Sequence, residues 1–418
     1  MKHVIVIGAG IIGTTTALAL AGAGCRVTVI DGRPEAGLET SFANGGLLAA
    51  NSALPWSSPG TPLQLLKWLG REDAPLLLRP RAIPGLGMWG LRFLANCRAS
   101  KYQRTAAALT AFGQHSLAIM ERLLGEQRIE AKIRHGGLLE LIRGKDAERH
   151  AENFARMLER MGAKVTRLDG AQTAALEPTL APIADSIGTG LLLESDAWGD
   201  ARAFSVAAAA AAQRQGVVFR WNTDVLGIDA KTGAVRGVRL HDETLSADSV
   251  VICAGALSPA LVAPLGVRLP MAPVKGYSLT LAASDLDFMP ARPIVDDFEH
   301  IGVTPLGDTL RVAGTVEFDG FDKTLRPARV DNLRRALSRL FPRMTLPDNV
   351  RPWCGLRPMA ADGLPLVSAT RVPQLFVNTG HGALGWTLAC GSAELVTSMV
   401  TGQTDGRNSP FSLTRSFW

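Results

Sequence analysis

The chain has 418 residues, 47 % of them hydrophobic and 20 % charged, which is enough for two domains or one interleaved pair with an ample core. A formal charge of +6 with no run of five or six Lys or Arg excludes a nucleic-acid-binding track. Five cysteines (Cys25, Cys97, Cys253, Cys354, Cys390) lack C-x-x-C spacing, and seven histidines form no H-E-x-x-H pair. A disulfide scaffold and a metal site are therefore not expected, a reducing compartment fits, and the chemistry falls to an organic cofactor.

The chain opens with an apolar run from His3 to Ile7 that enters Gly8-x-Gly10-x-x-Gly13. An alanine-rich helical stretch, Thr14 to Ala23, leaves this turn, and a second strand pattern, Arg26 to Ile30, ends in Asp31. This is a nearly complete dinucleotide-binding unit. Gly8 permits the tight turn, Gly10 lets backbone approach a pyrophosphate, and Gly13 lets helix and strand pack closely. The helix N-terminus beside Ile12 offers free N–H groups to phosphate, and Asp31 is placed to hold a ribose. The uncharged stretch Val4–Cys25 could mimic a signal peptide or membrane span, but neither needs this glycine spacing or a following strand.

Next comes Glu39-Thr-Ser-Phe-Ala-Asn-Gly-Gly46, small and polar, suited to close backbone approach to a ligand. Residues 54–93 hold three tryptophans, six prolines and basic Lys67, Arg71, Arg79 and Arg81. They read as a loop-rich excursion with short helices, or as an interfacial patch touching a membrane. Helical patterns cover Tyr102–Glu126 and Asp146–Met161, with a strand pattern between them at 136–142. Ala201–Gln215 is a helix with six consecutive alanines, followed by a strand pattern at 216–221 and by Asn222-Thr-Asp-Val225. Short alternating segments at 234–240, 247–253, 277–282, 299–304 and 309–315 indicate a large β content. A polar helix follows at 331–341, and Leu375–Gly382 leads into a final helix ending near Thr401.

A lone Gly-x-Gly-x-x-Gly serves NAD, NADP and FAD alike, so the choice of cofactor rests on later turns. Val250-Val-Ile-Cys-Ala254-Gly255-Ala is a strand ending in small residues. Asn378-Thr-Gly-His-Gly-Ala-Leu-Gly-Trp-Thr387 opens a helix with glycines at its N-terminus, which can aim N–H groups at a flavin carbonyl. Three such turns can grip an FAD along its length.

With these blocks, the chain resembles the small-subunit type of D-amino-acid dehydrogenase in the FAD-dependent D-amino-acid oxidase (DAO) superfamily. The resemblance spans nearly the whole chain. It rests on Gly8–Gly13 with Val27–Asp31, Glu39–Gly46, Pro55-Trp56 through Lys67-Trp68, Pro273–Thr280, Gly355-Leu-Arg-Pro358 with Asp362-Gly363, and Asn378–Gly391. It implies an α/β and α+β fold, with a glutathione-reductase-like FAD-binding Rossmann domain interleaved with an antiparallel-sheet substrate domain. The expected division is 1–98, 192–264 and 345–418 for FAD, and 99–191 and 265–344 for substrate.

The implied activity is oxidation of D-amino acids by hydride transfer from the α-carbon to flavin N5, giving imino acids that hydrolyse to 2-oxo acids and ammonia. Electrons would pass to a quinone or other acceptor, and the protein would be cytoplasmic or peripheral on the inner face of the cytoplasmic membrane, touching it through 54–93. Arg357 matches the arginine that clamps the substrate carboxylate, which suits a planar two-bond donor. Tyr277 either lines the substrate pocket or packs beside it, Lys275 is structural or substrate-adjacent, and His381 shapes the cofactor site. Asp31 and Arg33 would meet the adenosine, Ser41, Asn44, Gly45 and Gly46 the pyrophosphate and flavin, and Val225 the adenine edge. Ala254 and Gly255 would return to the dinucleotide, and Gly382, Leu384, Gly385 and Thr387 would surround the isoalloxazine. The FAD is expected to be non-covalent, since the spacing of Cys354 to Asp362 does not match an attachment site. Ser195-Asp-Ala-Trp198-Gly-Asp200 and the loop after Gly46 depart from the usual pattern, which leaves open the substrate side chain. A cyclic or N-substituted amino acid (a D-hydroxyproline or sarcosine-like compound) is the nearest alternative, and a flavin subunit of a larger electron-transfer complex is another.

Overall fold

The computed structural model describes residues 1–231 and 233–418. Its first body is a six-stranded sheet in the order Val218–Arg220, Arg26–Ile30, His3–Ile7, Ser249–Ile252, Leu375–Thr379 and Leu366–Ala369. All pairings are parallel except the last. Every residue of His3–Ile7 is buried, as expected of a central parallel strand covered on both faces. The helices Ile11–Gly22, Ala201–Arg214 and Gly385–Val400 pack over one face of this sheet. The alanines of Ala201–Arg214 are what let that helix approach closely. Ala208, Ala211 and Ala212 are essentially inaccessible, in one cluster with Leu18 and Leu20.

The second body is a nine-stranded, mainly antiparallel sheet. Its path runs Arg351–Ala360, Met271–Ala282, Thr309–Phe318, Ile301–Pro305, Ile294–Asp296, Leu138–Arg143, Ile187–Leu193, Val165–Leu168, with Leu76–Leu78 added alongside Thr309–Phe318. One face is apolar and covered by the helix Pro327–Leu340, whose Leu333, Leu337 and Leu340 meet Leu279, Leu310 and Val312. The opposite face looks toward the first body.

The elements expected from periodicity are present, with ends shifted by a few residues, and three placements are ones periodicity does not reveal. Arg351–Ala360 pairs along its full length with Met271–Ala282, so the Gly-Leu-Arg-Pro block stands on the large sheet although 345–418 groups by sequence with the FAD blocks. The helix Ala99–Glu126 sends Leu109, Ile119 and Met120 into the core of the first body. The excursion at 54–93 contains two helices, Thr61–Trp68 and Ile83–Asn96, and the strand Leu76–Leu78. It is pinned by Arg329, a wholly buried guanidinium that donates to the carbonyls of Glu72, Ala74, Pro75 and Val316. Four carbonyls take up the Nη1 and Nη2 donors of that side chain, while its Nε keeps no partner among the described residues.

Candidate active site

A cavity of about 1680 Å³ runs between the two bodies, larger than the roughly 300–1,000 Å³ of an ordinary small-molecule site. It begins at the carboxyl ends of the parallel strands, where Gly8, Asp31 and Cys253 follow their strands directly. That is where open α/β sheets bind ligands.

The glycine turn has the geometry its spacing requires. Gly8 has a φ of +101°, and a Cβ there would stand 2.6 Å from the Cys253 carbonyl oxygen. A Cβ at Gly13 would stand 1.8 Å from the Gly8 oxygen. Gly13 is therefore a packing glycine and does not line the cavity, whereas Gly8, Gly10 and Ile12 do. Asp31 accepts from the N–H groups of Ala9 (2.6 Å) and Arg33 (2.8 Å), and burial pushes its carboxyl above the ordinary range. Arg33 is tied to Glu39 at the cavity edge. Ser41 accepts from Ile11 N–H (3.1 Å) and so uses one free donor of the helix, while those of Ile12 and Gly13 keep no partner among the described residues.

Asn44, Gly45 and Gly46 form a facing wall, with Asn44 O held by Arg311 and Gly45 O by Thr304. Val225, Ala254 and Gly255 close the end nearest Asp31. At the other end, the helix Gly385–Val400 starts without a side-chain cap, with Gly382 and Gly385 on the cavity surface. Leu384 and Thr387 belong to the same turn but lie outside the lining, since Thr387 packs toward Gly113. His381 lines the cavity, yet burial pushes its imidazole down to about 3, and Nε2 pairs with Ser392 Oγ at 3.1 Å. It is a neutral ring fixed in place and does not exchange protons near neutral pH.

This donor set fits an FAD: two helix N-termini with free N–H groups, a carboxylate hydrogen-bonded to the glycine turn, and a long cradle between them where side chains would intrude. Among the described residues no group of His, Cys, Asp or Glu could hold a metal.

Arg357 projects from the large sheet into the cavity. Its guanidinium folds back over Gly276, where a Cβ would stand 2.8 Å from Cζ, and it lies 5.4 Å from the Trp56 ring. Among the described residues it has neither a carboxylate partner nor a hydrogen bond. Burial lowers its pKa to about 10, so it stays charged at neutral pH. An unpaired, half-buried cation in a cavity is costly unless a ligand supplies the anion.

Tyr277 takes a different part. Its ring borders the cavity, but its hydroxyl donates to Glu317 at 2.6 Å inside a buried network with Lys275, Arg79, Arg326 and Asp319. Burial and that bond push its phenol above the ordinary range. Lys275 is likewise wholly buried in this network and does not line the cavity. Tyr277→Phe is expected to cost about 1 kcal/mol of stability through the lost hydrogen bond while changing kcat/KM less than threefold. Thermal unfolding and steady-state assays of the variant check both.

Sequence reasoning missed Glu140, Tyr102, Trp353 and His300 as cavity residues. Glu140 alone carried a signal, a single acid inside the apolar strand Leu138–Arg143. The other three face the cavity only through tertiary packing.

The DAO family, FAD dependent oxidoreductases, matches residues 3–399. A D-amino acid dehydrogenase of Methylobacterium radiotolerans is 41 % identical over 402 residues, covering 96 % of each chain. One of Paramagnetospirillum magneticum is 42 % identical over 405 residues, covering 96 % of this chain and 95 % of that one. Among solved structures, glycine oxidase from Bacillus cereus superposes with a TM-score of 0.76 at 19 % identity, covering 97 % of each chain, a likeness of fold. With its glycine turn, uncapped helix and unpaired arginine around one long cavity, the chain belongs to the DAO family of FAD-dependent oxidoreductases.

Proposed function

We propose that this protein oxidises D-amino acids to imino acids, which hydrolyse to 2-oxo acids and ammonia. The observation that carries the reading is Arg357, a charged guanidinium in a long cavity with no protein anion to neutralise it. The 41–42 % identical relatives named D-amino acid dehydrogenase supply the choice of the D-series. The six-stranded body, through Gly8, Gly10, Ile12, Asp31, Ser41 and the turn at Gly382–Gly385, would hold the FAD; the large sheet would present the substrate. Bound there, the flavin supplies the two-electron acceptor for the substrate's α C–H bond. The protein's own part is to grip the carboxylate with Arg357, to fix the α-carbon against the Gly276 side of the sheet, and to exclude water. No side-chain base is required if the amine arrives neutral.

Anaerobic mixing of the yellow protein with amino acids, following the flavin absorbance, tests the reading. Bleaching by linear D-amino acids and not by their L-forms supports it. Bleaching only by a D-proline derivative or an N-methyl amino acid transfers the substrate to that class, and no bleaching by any amino acid rejects it.

The electron acceptor is proposed to be a membrane quinone. No described helix is long and apolar enough to span a membrane. The helices Thr61–Trp68 and Ile83–Asn96 nevertheless expose Leu63, Leu66 (71 % exposed) and Met88, while Leu65, Trp68 and Leu86 line the cavity and Leu91 and Leu94 both line it and are exposed. An apolar patch continuous with the cavity wall suits a docking face that opens toward lipid. Replacing Leu63 and Leu66 by Glu is expected to abolish co-sedimentation with anionic vesicles and quinone reduction, leaving turnover with a soluble dye within twofold.

A further inference from the structure

The cavity contains a second unpartnered ionisable group besides Arg357. Glu140 lines it and makes neither a hydrogen bond nor an ion pair with any described residue. It ends a cross-strand row formed by Trp353, Ser278, Ala313, Gly302, Val295 and Glu140, register partners on six successive strands. Between the bulky ends the row offers only small or short side chains, and Ala313, Gly302 and Val295 all face the cavity. The sheet thus floors a trough leading from the Arg357 side to Glu140.

The length of this trough selects among ligands. Arg357 places its guanidinium over Gly276, and four strand spacings separate that strand from the one bearing Glu140, about 19 Å between backbones at ~4.8 Å each. The glutamate side chain and the contact distances at either end take up part of this span. What remains suits an extended amino acid with a terminal cation and is far too long for alanine. Asp297 adds a second negative charge at the same end, and Tyr102 a hydroxyl. We propose that Glu140, supported by Asp297, forms the subsite for a cationic side chain, so that the preferred substrates are D-lysine- or D-arginine-like. This rests on the proposed D-amino-acid oxidation and specifies its side chain.

Burial, then the charges of Asp297 and Asp196, push Glu140 up to about 8. The titratable groups around it are Tyr102, His150, Asp297, Asp196, and Asp296, the last paired with Arg143. At neutral pH the empty site therefore holds mostly neutral acid, and a bound ammonium draws out the carboxylate. The affinity for a cationic side chain rises with pH through 8, until the ligand's own amine loses its proton.

D-lysine and D-norleucine, alike in length and differing in the terminal ammonium, give the test on the holoenzyme. The native protein is expected to favour D-lysine at least tenfold in kcat/KM. Glu140→Gln is expected to remove that preference, with D-norleucine and D-alanine within about threefold of native. Between pH 7 and 8.5 KM for D-lysine should fall more steeply than that for D-norleucine, whose fall reports only the neutral α-amine that both substrates share. Equal use of D-lysine and D-norleucine by the native enzyme overturns the subsite and leaves D-amino-acid oxidation intact. Uniform loss on all three substrates in Glu140→Gln likewise overturns it, as a folding or catalytic defect. Turnover of no D-amino acid overturns both readings.

Discussion

Arg357→Ala is expected to lower kcat/KM for D-amino acids by about two orders of magnitude, roughly 3 kcal/mol of lost transition-state stabilisation, most of it in KM. The loss follows from the removal of two parallel charge-assisted hydrogen bonds to the substrate carboxylate. The variant should still fold and bind FAD. Arg357 has no protein partner to be orphaned, and its contact with Trp56 contributes only about 0.5–1 kcal/mol. Relief of an unpaired, half-buried cation offsets part of even that. Thermal stability within a few degrees of native, full flavin content and a hundredfold loss of efficiency is therefore the expected combination. Arg357→Lys should recover little, because an ammonium on a shorter reach cannot make the fork. Normal turnover by Arg357→Ala would remove the carboxylate clamp from the mechanism.

How far the sequence reached depended on what each residue needs. The glycine turn was legible because Gly8 and Gly13 answer to local sterics, a positive φ and a helix–strand contact within six residues. Asp31 follows from the same unit, at the end of a strand whose register is set by His3–Ile7. The helix Ala201–Arg214 was legible from its alanines alone. The assignment of Arg351–Ala360 to the large sheet was not, because its pairing with Met271–Ala282 spans some eighty residues of chain and leaves no periodic trace in either segment. Tyr277 shows the limit most clearly. Its motif left it lining the substrate pocket or packing beside it; the ring borders the cavity, but the partner that takes its hydroxyl, Glu317, is forty residues away in sequence. Leu384 and Thr387 sit in the turn proposed to meet the flavin yet lie outside the cavity lining, since a helical turn cannot present every residue to one ligand. Glu140 signalled itself only as a lone acid in an apolar strand, and the register of six strands is what brings it onto the cavity floor.

Substituting single glycines of the first turn should separate cofactor binding from folding. A methyl group at Gly13 would meet the Gly8 carbonyl oxygen at 1.8 Å, and that atom is backbone, fixed in turn by the strand pairing of Ile7 with Ile252 and Ile30. Nothing can yield without moving the helix Ile11–Gly22 off its sheet, where it also packs on Gly385–Val400 and Ala201–Arg214. Gly13→Ala is thus expected to give insoluble or FAD-free protein with a clearly lowered Tm, beyond the roughly 1–3 kcal/mol typical of core overpacking. Gly10 differs. A methyl group there meets only Ser41 Oγ at 3.5 Å, ordinary contact, but would project into the cavity where the pyrophosphate is expected. Gly10→Ala should keep the fold and lower FAD affinity at least tenfold, seen as colourless protein after gel filtration whose unfolding temperature rises again when FAD is added. If Gly10→Ala retained FAD as tightly as native, the pyrophosphate would have to lie elsewhere in the cavity, and the glycine turn would be a packing device alone.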